Sequence, residues 1–342
     1  MHMADALISP AVGLTMSAVS AAAIGISASR VKKDEFCERK IPIMGIAGAL
    51  VFAGQMVNFT IPATGSSGHI GGGILLAGLL GGVPAFLSIA AVLIIQCLFF
   101  ADGGLLALGC NIFNLGAIPC LIIYPLIFKP LLKGGTGYKR LSIASITSAV
   151  IGLELGAFFV VLQTLFSGIT ALPFGIFTAL MLPVHLAIGL VEGIVTAAIL
   201  CFVHKTRPEI IDSSLSGQRI GSVSTKGVLI TFLALAVVAG GAFSLFASGN
   251  PDGLEWAIEK TAEYAVGAET ELRAESGAYV VAANVQESTV FLPDYSFSAD
   301  PENVAGTSLS GIAGAGITFL FAMAAGLTIS KVKKITRAAK NA

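Results

Sequence analysis

The sequence predicts an all-α polytopic membrane protein, and three observations carry that reading. Hydrophobic residues make up 55% of the 342 residues and charged residues only 12%, about half the ~25% of a soluble domain. Mean hydropathy is +0.88. The apolar stretches run continuously instead of alternating, which suits helices of about 20 residues and not barrel strands. Forty glycines suit close helix packing in lipid. Twenty basic and twenty acidic residues balance to zero, so no global field recruits nucleic acid. Cys37, Cys97, Cys110, Cys120 and Cys201 show no CxxC spacing, which argues against a disulfide framework or a zinc site.

In chain order, spans are expected at 8–29, 41–59, 84–101, 105–128, 141–166, 174–203, 227–248 and 309–329. Stretch 70–82 is short and bounded by Gly71-Gly72-Gly73 and Gly81-Gly82; hydropathy alone leaves it a re-entrant piece, a half helix or a short span. Charge decides. Segments 30–40, 129–140, 204–226 and the tail from Lys331 hold 18 of the 20 basic residues. All four face the cytoplasm, as the positive-inside rule asks, only if 70–82 crosses. The expectation is nine spans, seven before residue 226 and two after it, with the N-terminus outside and the C-terminus inside. Because the first basic residue is Arg30, after the first apolar run, that run reads as a retained span and not as a signal peptide.

Segment 249–308 carries 11 of the 20 acids. It reads as an extracytoplasmic loop that is either simply solvated, or raises the local cation concentration or touches the rest of the transporter.

Four histidines limit the chemistry. His204 sits at a helix end, where a cation suits the dipole. His185 lies seven residues before Glu192 in one span, on the same helix face; a buried histidine satisfied by a neighbour competes there with a role near a substrate. His2 is the most informative. A chain that starts Met1-His2 offers the terminal amine, the His2 amide and the His2 Nδ1 as a roughly planar set, closing five- and six-membered chelate rings. Square-planar nitrogen donation suits Ni(II) or Cu(II). His69, in the polar, glycine-rich run Thr64-Gly65-Ser66-Ser67-Gly68-His69, lies on the same side of the membrane in the charge-derived topology and supplies a fourth nitrogen. Binding at such a set displaces protons, so affinity is expected to fall below about pH 6.

Met1-His2-Met3-Ala4-Asp5-Ala6-Leu7, Ser66-Ser67-Gly68-His69, Asn111-Ile112-Phe113-Asn114-Leu115-Gly116 and the run from His185 to Gly193 together resemble the NikM/CbiM family. These are the substrate-binding S components of energy-coupling factor (ECF) transporters for nickel and cobalt. The resemblance covers roughly residues 1–226, and the opening Met-His-Met-Ala-Asp-Ala looks more like the nickel branch. Pro251-Asp252-Gly253-Leu254-Glu255-Trp256-Ala257, directly after a span, resembles the NikN-type accessory component, so the chain looks like a fusion of the two, 1–226 and 227–342. The resemblance implies an S-component-like seven-helix bundle followed by two further helices. It implies Ni(II), or Co(II), held by Met1, His2 and His69, and transport that needs a membrane coupling (T) subunit and two ATP-binding subunits in a prokaryotic plasma membrane.

Around such a site, Ser67, Asn111, Asn114, His185 and Glu192 are the candidates for supporting contacts. For Asn111 and Asn114 the alternatives are holding the loop or N-terminal segment and joining helices. Ala49 and Ala53 resemble the small-residue motif by which S components meet the coupling subunit. No GxxxxGK[ST] run is present, so ATP hydrolysis falls to partners. A stand-alone secondary transporter would need ionisable groups along a pathway, and only Glu154, His185 and Glu192 qualify. An embedded enzyme finds no HExxH or nucleophile–base pair to support it.

Overall fold

The computed structural model describes residues 1–33, 37–217, 226–264, 277–298 and 303–341. The chain is a helical bundle. Helices α1 (Pro10–Lys33), α2 (Cys37–Gln55), α3 (Gly73–Leu80), α4 (Gly82–Phe100), α5 (Leu108–Leu131), α6 (Tyr138–Ser167) and α7 (Phe174–Thr206) precede a short helix α8 (Pro208–Ser216). After residues 218–225, which lie outside the described residues together with Arg219, come α9 (Lys226–Gly241), α10 (Gly253–Tyr264), α11 (Gly277–Thr289) and α12 (Ala305–Asn341). Seven of these are long and apolar enough to cross a membrane. Large apolar side chains such as Leu14, Ile26, Ile194, Ile230, Leu233 and Leu320 stand exposed on their outer faces; a continuous apolar exterior of this kind fits lipid and not water.

The stretch 70–82 departs from the expectation of a full span. Its helix α3 has eight residues, about 12 Å of rise against a hydrocarbon core of about 30 Å. It is short because the chain before it is not helical. Gly72 sits at φ +79°, with Val51 Cγ1 where a Cβ would lie, a conformation open to glycine and strained for other residues. Every residue of α3 is buried, so lipid never meets its incomplete ends. The segment nevertheless links the two ends of the bundle. Gly71 lies beside Gln55 at the end of α2, whereas the Gly78 carbonyl accepts Ser214 Oγ from α8 and the Leu80 carbonyl accepts Lys40 Nζ from the start of α2.

This connectivity places Lys40, Lys129 and Lys205 at the end opposite Met1. Helix–helix packing uses small residues. Gly189 and Gly193 of α7 lie against Val150 and Ile146 of α6, the most extensive helix pair of the bundle. Pro119 and Pro125 interrupt the α5 ladder, which takes the wider π winding over Ile112–Phe128.

The second half grips the first. Helix α12 lies along α2, where Gly45, Gly48 and Phe52 meet Phe319, Thr318 and Gly314. Ala49 and Ala53 are themselves buried, 4% and 0% exposed, so the small-residue motif is not on an open face as the coupling-subunit expectation required. The acidic segment 249–308 is also more than a loop. It forms α10 and α11 and lies across the end of the bundle that carries Met1, with Tyr279 OH donating to the Ile8 carbonyl and Gln286 Nε2 to the Gly103 carbonyl. Glu269, Glu271, Glu275, Asp300 and Glu302 lie outside the described residues.

Candidate metal centre

The extended N-terminal segment, with one turn at Asp5–Leu7, tucks into the bundle end. Met1 and Met3 are 6% and 0% exposed. Asn111 at the top of α5 fixes Met3 through two bonds: Met3 N–H donates to Oδ1 at 2.8 Å, and Nδ2 donates to the Met3 carbonyl at 3.2 Å. Asn114 instead exchanges two bonds with Gln163 of α6, at 2.8 and 3.1 Å. Asn111 thus holds the N-terminal segment, while Asn114 joins helices and also lies with its Nδ2 3.9 Å from Met3 Sδ.

His69 follows a short antiparallel hairpin, β1 (Phe59–Ile61) with β2 (Ser66–Gly68). Its ring stacks on His2 with centroids 5.3 Å apart and planes 13° from parallel. His69 Nδ1–H donates to the Ile70 carbonyl at 3.1 Å, which leaves Nε2 with the lone pair a metal needs. The turn after His69 is held by Glu192, which accepts Gly71 N–H and Gly72 N–H at 2.9 and 3.0 Å. His185 Nδ1–H donates to the Met181 carbonyl, and Nε2 has no partner. Ser67 joins the two halves, its N–H donating to the Pro251 carbonyl and its hydroxyl to the Asn250 carbonyl, both at 2.8 Å.

Three groups that sequence reasoning missed complete the surroundings. The Met1 amine donates to Asp252 Oδ2 at 2.6 Å. His2 Nδ1 lies 3.0 Å from Asp102 Oδ1, and its Nε2 is buried without a partner. Tyr295 OH donates to the other oxygen of Asp102 and stacks on Phe100 at 5.0 Å. Asp294 and Tyr295 both have positive φ, a backbone cost of about 1–3 kcal/mol each that these contacts offset. The signals were present but faint. Asp102 is the one charged residue between α4 and α5, and Asp252 with Glu255 has the D-x-x-E spacing of a capping box.

The electrostatics follow from burial and pairing. Burial pushes the His69 imidazole down to about 4, helped by the positive N-terminus and His2. Burial alone would raise Asp102, but His2, the Tyr295 hydroxyl and His69 outweigh it and hold the carboxyl at about 2. Asp252 is likewise held well below its ordinary value, because the N-terminal ammonium overrides the effect of burial. A polar cavity of about 410 Å³ opens onto this cluster, lined by His2, His69, Asp102, Asp252, Glu255 and Asp294 among others. Among the described residues, no three His, Cys, Asp or Glu side chains converge as a ready metal-binding group. The donors gathered here are two imidazoles and the backbone nitrogens of the terminus.

Residues 2–210 match the family described as "Cobalt uptake substrate-specific transmembrane region", CbiM, and residues 226–331 match the PDGLE domain. A protein of Archaeoglobus fulgidus named fused nickel transport protein NikMN is 32% identical over 224 residues, covering 64% of this chain and 71% of its own. The cobalt transport protein CbiM of Sorangium cellulosum is 30% identical over 193 residues, 56% of this chain and 84% of its own. The crystal structure of a truncated transition metal transporter superposes with a TM-score of 0.53 at 28% identity, over 60% of this chain and 99% of that one. The chain belongs to the CbiM family of membrane-embedded metal transport proteins, with a PDGLE domain following on the same polypeptide.

Proposed function

We propose that this chain captures Ni(II) outside the cell for an ATP-driven importer of the ECF type, residues 1–226 holding the ion and 227–342 acting as the accessory component. One observation carries the reading: His2 and His69, 67 positions apart in sequence, stack together at one polar cavity, and Asp252 in its wall holds the Met1 amine. The ion would be taken by the Met1 amine, the His2 amide, the His2 imidazole and His69 Nε2. With metal–nitrogen bonds of about 2 Å, one ion would join the two rings once they leave their stacked arrangement. With Nδ1 turned to Asp102, the His2 ring must make a half-turn to close its chelate. The two carboxylates then remain as counter-charges to the dication.

The positive-inside rule puts the end with Lys40, Lys129 and Lys205 in the cytoplasm of a prokaryotic plasma membrane and the Met1 end outside. A coupling subunit and two ATP-binding subunits would supply the energy, since the chain has no phosphate-cradling loop of its own. The same nitrogens bind Co(II), and the affinity order rises only modestly from cobalt to nickel; a cobalt-specific component is the alternative. Isothermal titration of the untagged protein with nickel chloride tests the site. His2→Ala, His69→Ala and an acetylated amino terminus should each abolish tight binding, and wild type should develop the yellow absorption of square-planar Ni(II). Unchanged affinity in His2→Ala ends this reading, and competition between the two metal ions ranks them.

A further inference from the structure

We infer that Asp252, in the PDGLE half, is a positioning residue for metal capture, one carboxylate that caps a helix with one oxygen and seats the ligating amine of Met1 with the other. The inference rests on the nitrogen-site reading above.

The carboxylate is held rigidly. Its Oδ1 accepts the N–H groups of Leu254 and Glu255, both at 2.8 Å, and Glu255 Oε2 accepts the Asp252 N–H at 3.1 Å. This is a reciprocal capping box at the start of α10, and it fixes the side chain so that Oδ2 points away from the helix. There it meets the amine, 251 positions earlier in the chain, at 2.6 Å. The capped turn is itself pinned. Gly253 packs on α7 so closely that a Cβ would fall 2.7 Å from Val184 Cγ1 and 3.1 Å from His185 Cε1. On the other side the turn forms a parallel bridge between Ser67 and Asp252. Ser67 is two residues before His69. The oxygen that seats the amine and the imidazole that completes the ligand set are therefore referenced to one short piece of paired backbone.

The contact survives metal binding. When the ammonium gives up one proton to solvent and its lone pair goes to the ion, two N–H bonds remain, and one still points at Oδ2. Asp252 then serves the metal-bound amine as a carboxylate serves a metal-bound histidine, by orienting the donor and balancing charge. Without it, the Met1 amine must be placed by the ion itself, and affinity falls by the cost of that ordering.

The test separates the amine contact from the helix cap. Asparagine and serine are both good caps, but Asp252→Asn lacks the charge and Asp252→Ser cannot reach the amine. Both variants are made in the untagged full chain in detergent, alongside His69→Ala. Hydrogen–deuterium exchange over residues 3–8 is followed without metal, and nickel chloride is titrated by calorimetry. Both Asp252 variants should speed exchange in that segment and weaken nickel affinity about tenfold or more, with thermal midpoints close to wild type. Wild-type exchange or wild-type affinity in both variants, with binding lost in His69→Ala, overturns the role of Asp252 alone. Intact nickel binding in His69→Ala instead overturns the nitrogen site, and the metal role of Asp252 with it.

Discussion

Asn111 and Met3 are joined by two hydrogen bonds across 108 residues, the side chain standing in for a paired strand. The Gly104 N–H also donates to the Met3 carbonyl, at 2.9 Å, but Asn111 is the partner of the Met3 N–H and helps set the register of Met1 and His2. Asn111→Leu leaves the buried Met3 N–H unpaired, a penalty of about 1–3 kcal/mol, while the Met3 carbonyl keeps the Gly104 N–H. The expected outcome is nickel affinity reduced by about tenfold or more with the bundle still folded, measured by calorimetry and far-ultraviolet circular dichroism. Wild-type affinity would mean that the terminus is held by other contacts.

Gly72 is a second sensitive point. At φ +79° a Cβ costs about 1–2 kcal/mol, and here it would also lie 2.4 Å from Val51 Cγ1. Gly72→Ala should therefore destabilise by more than about 2 kcal/mol and displace the N–H that Glu192 accepts. A clear drop in the thermal midpoint in detergent checks this; a midpoint equal to wild type would contradict the packing described around α3.

Glu192 itself gives a cleaner substitution. Glu192→Gln keeps the shape but removes the charge that strengthens both bonds to Gly71 and Gly72, and it presents an amide donor to one N–H. Charge-assisted bonds contribute about 1.5–3 kcal/mol. The expected result is lower stability together with weaker nickel binding, because the same turn carries His69. Loss of stability at full affinity would restrict Glu192 to holding α3 in place.

The pH dependence has a definite sign. The unfolded chain takes up a proton on His69 near 6.5, whereas burial, the N-terminal charge and His2 keep the folded chain from doing so until about 4. The stability linked to His69 is therefore full above pH 6.5 and is lost as pH falls to about 4, reaching about 3 kcal/mol. Urea melts of the metal-free protein between pH 7 and 4 should show this slope in wild type and not in His69→Gln; parallel curves would refute it. The loss of metal affinity expected near pH 6 from an ordinary imidazole moves, for His69, toward pH 4. The remaining proton competition falls to the other nitrogens.

Much of the bundle was legible because continuous apolar runs and basic loops are strong, local signals. The helices containing Gln96, Asn114, Leu153, His185, Phe232 and Phe319 all lie where hydropathy places them. The errors share a cause. Hydropathy cannot see where a backbone stops being helical, so 41–59 ran past Gln55 into the hairpin, and 70–82 looked longer than the eight-residue α3. For the acidic segment a solvated loop and one touching the rest of the transporter stayed open, because charge masked the capping box that starts α10. At the proposed site, Met1, His2 and His69 were singled out as candidates by chelate chemistry and the expected side of the membrane. Their carboxylate partners Asp102 and Asp252 were not, because the contacts span 100 and 251 positions and only the folded chain brings them together.

Residues 1–217 and 226–341 belong to one polypeptide, connected by the eight residues 218–225. A covalent connection makes their association intramolecular. The Ser67–Asp252 seam therefore stays assembled at any protein concentration, because neither half can be lost by diffusion. Two separate chains meeting across the same seam would need a far tighter interface to stay assembled.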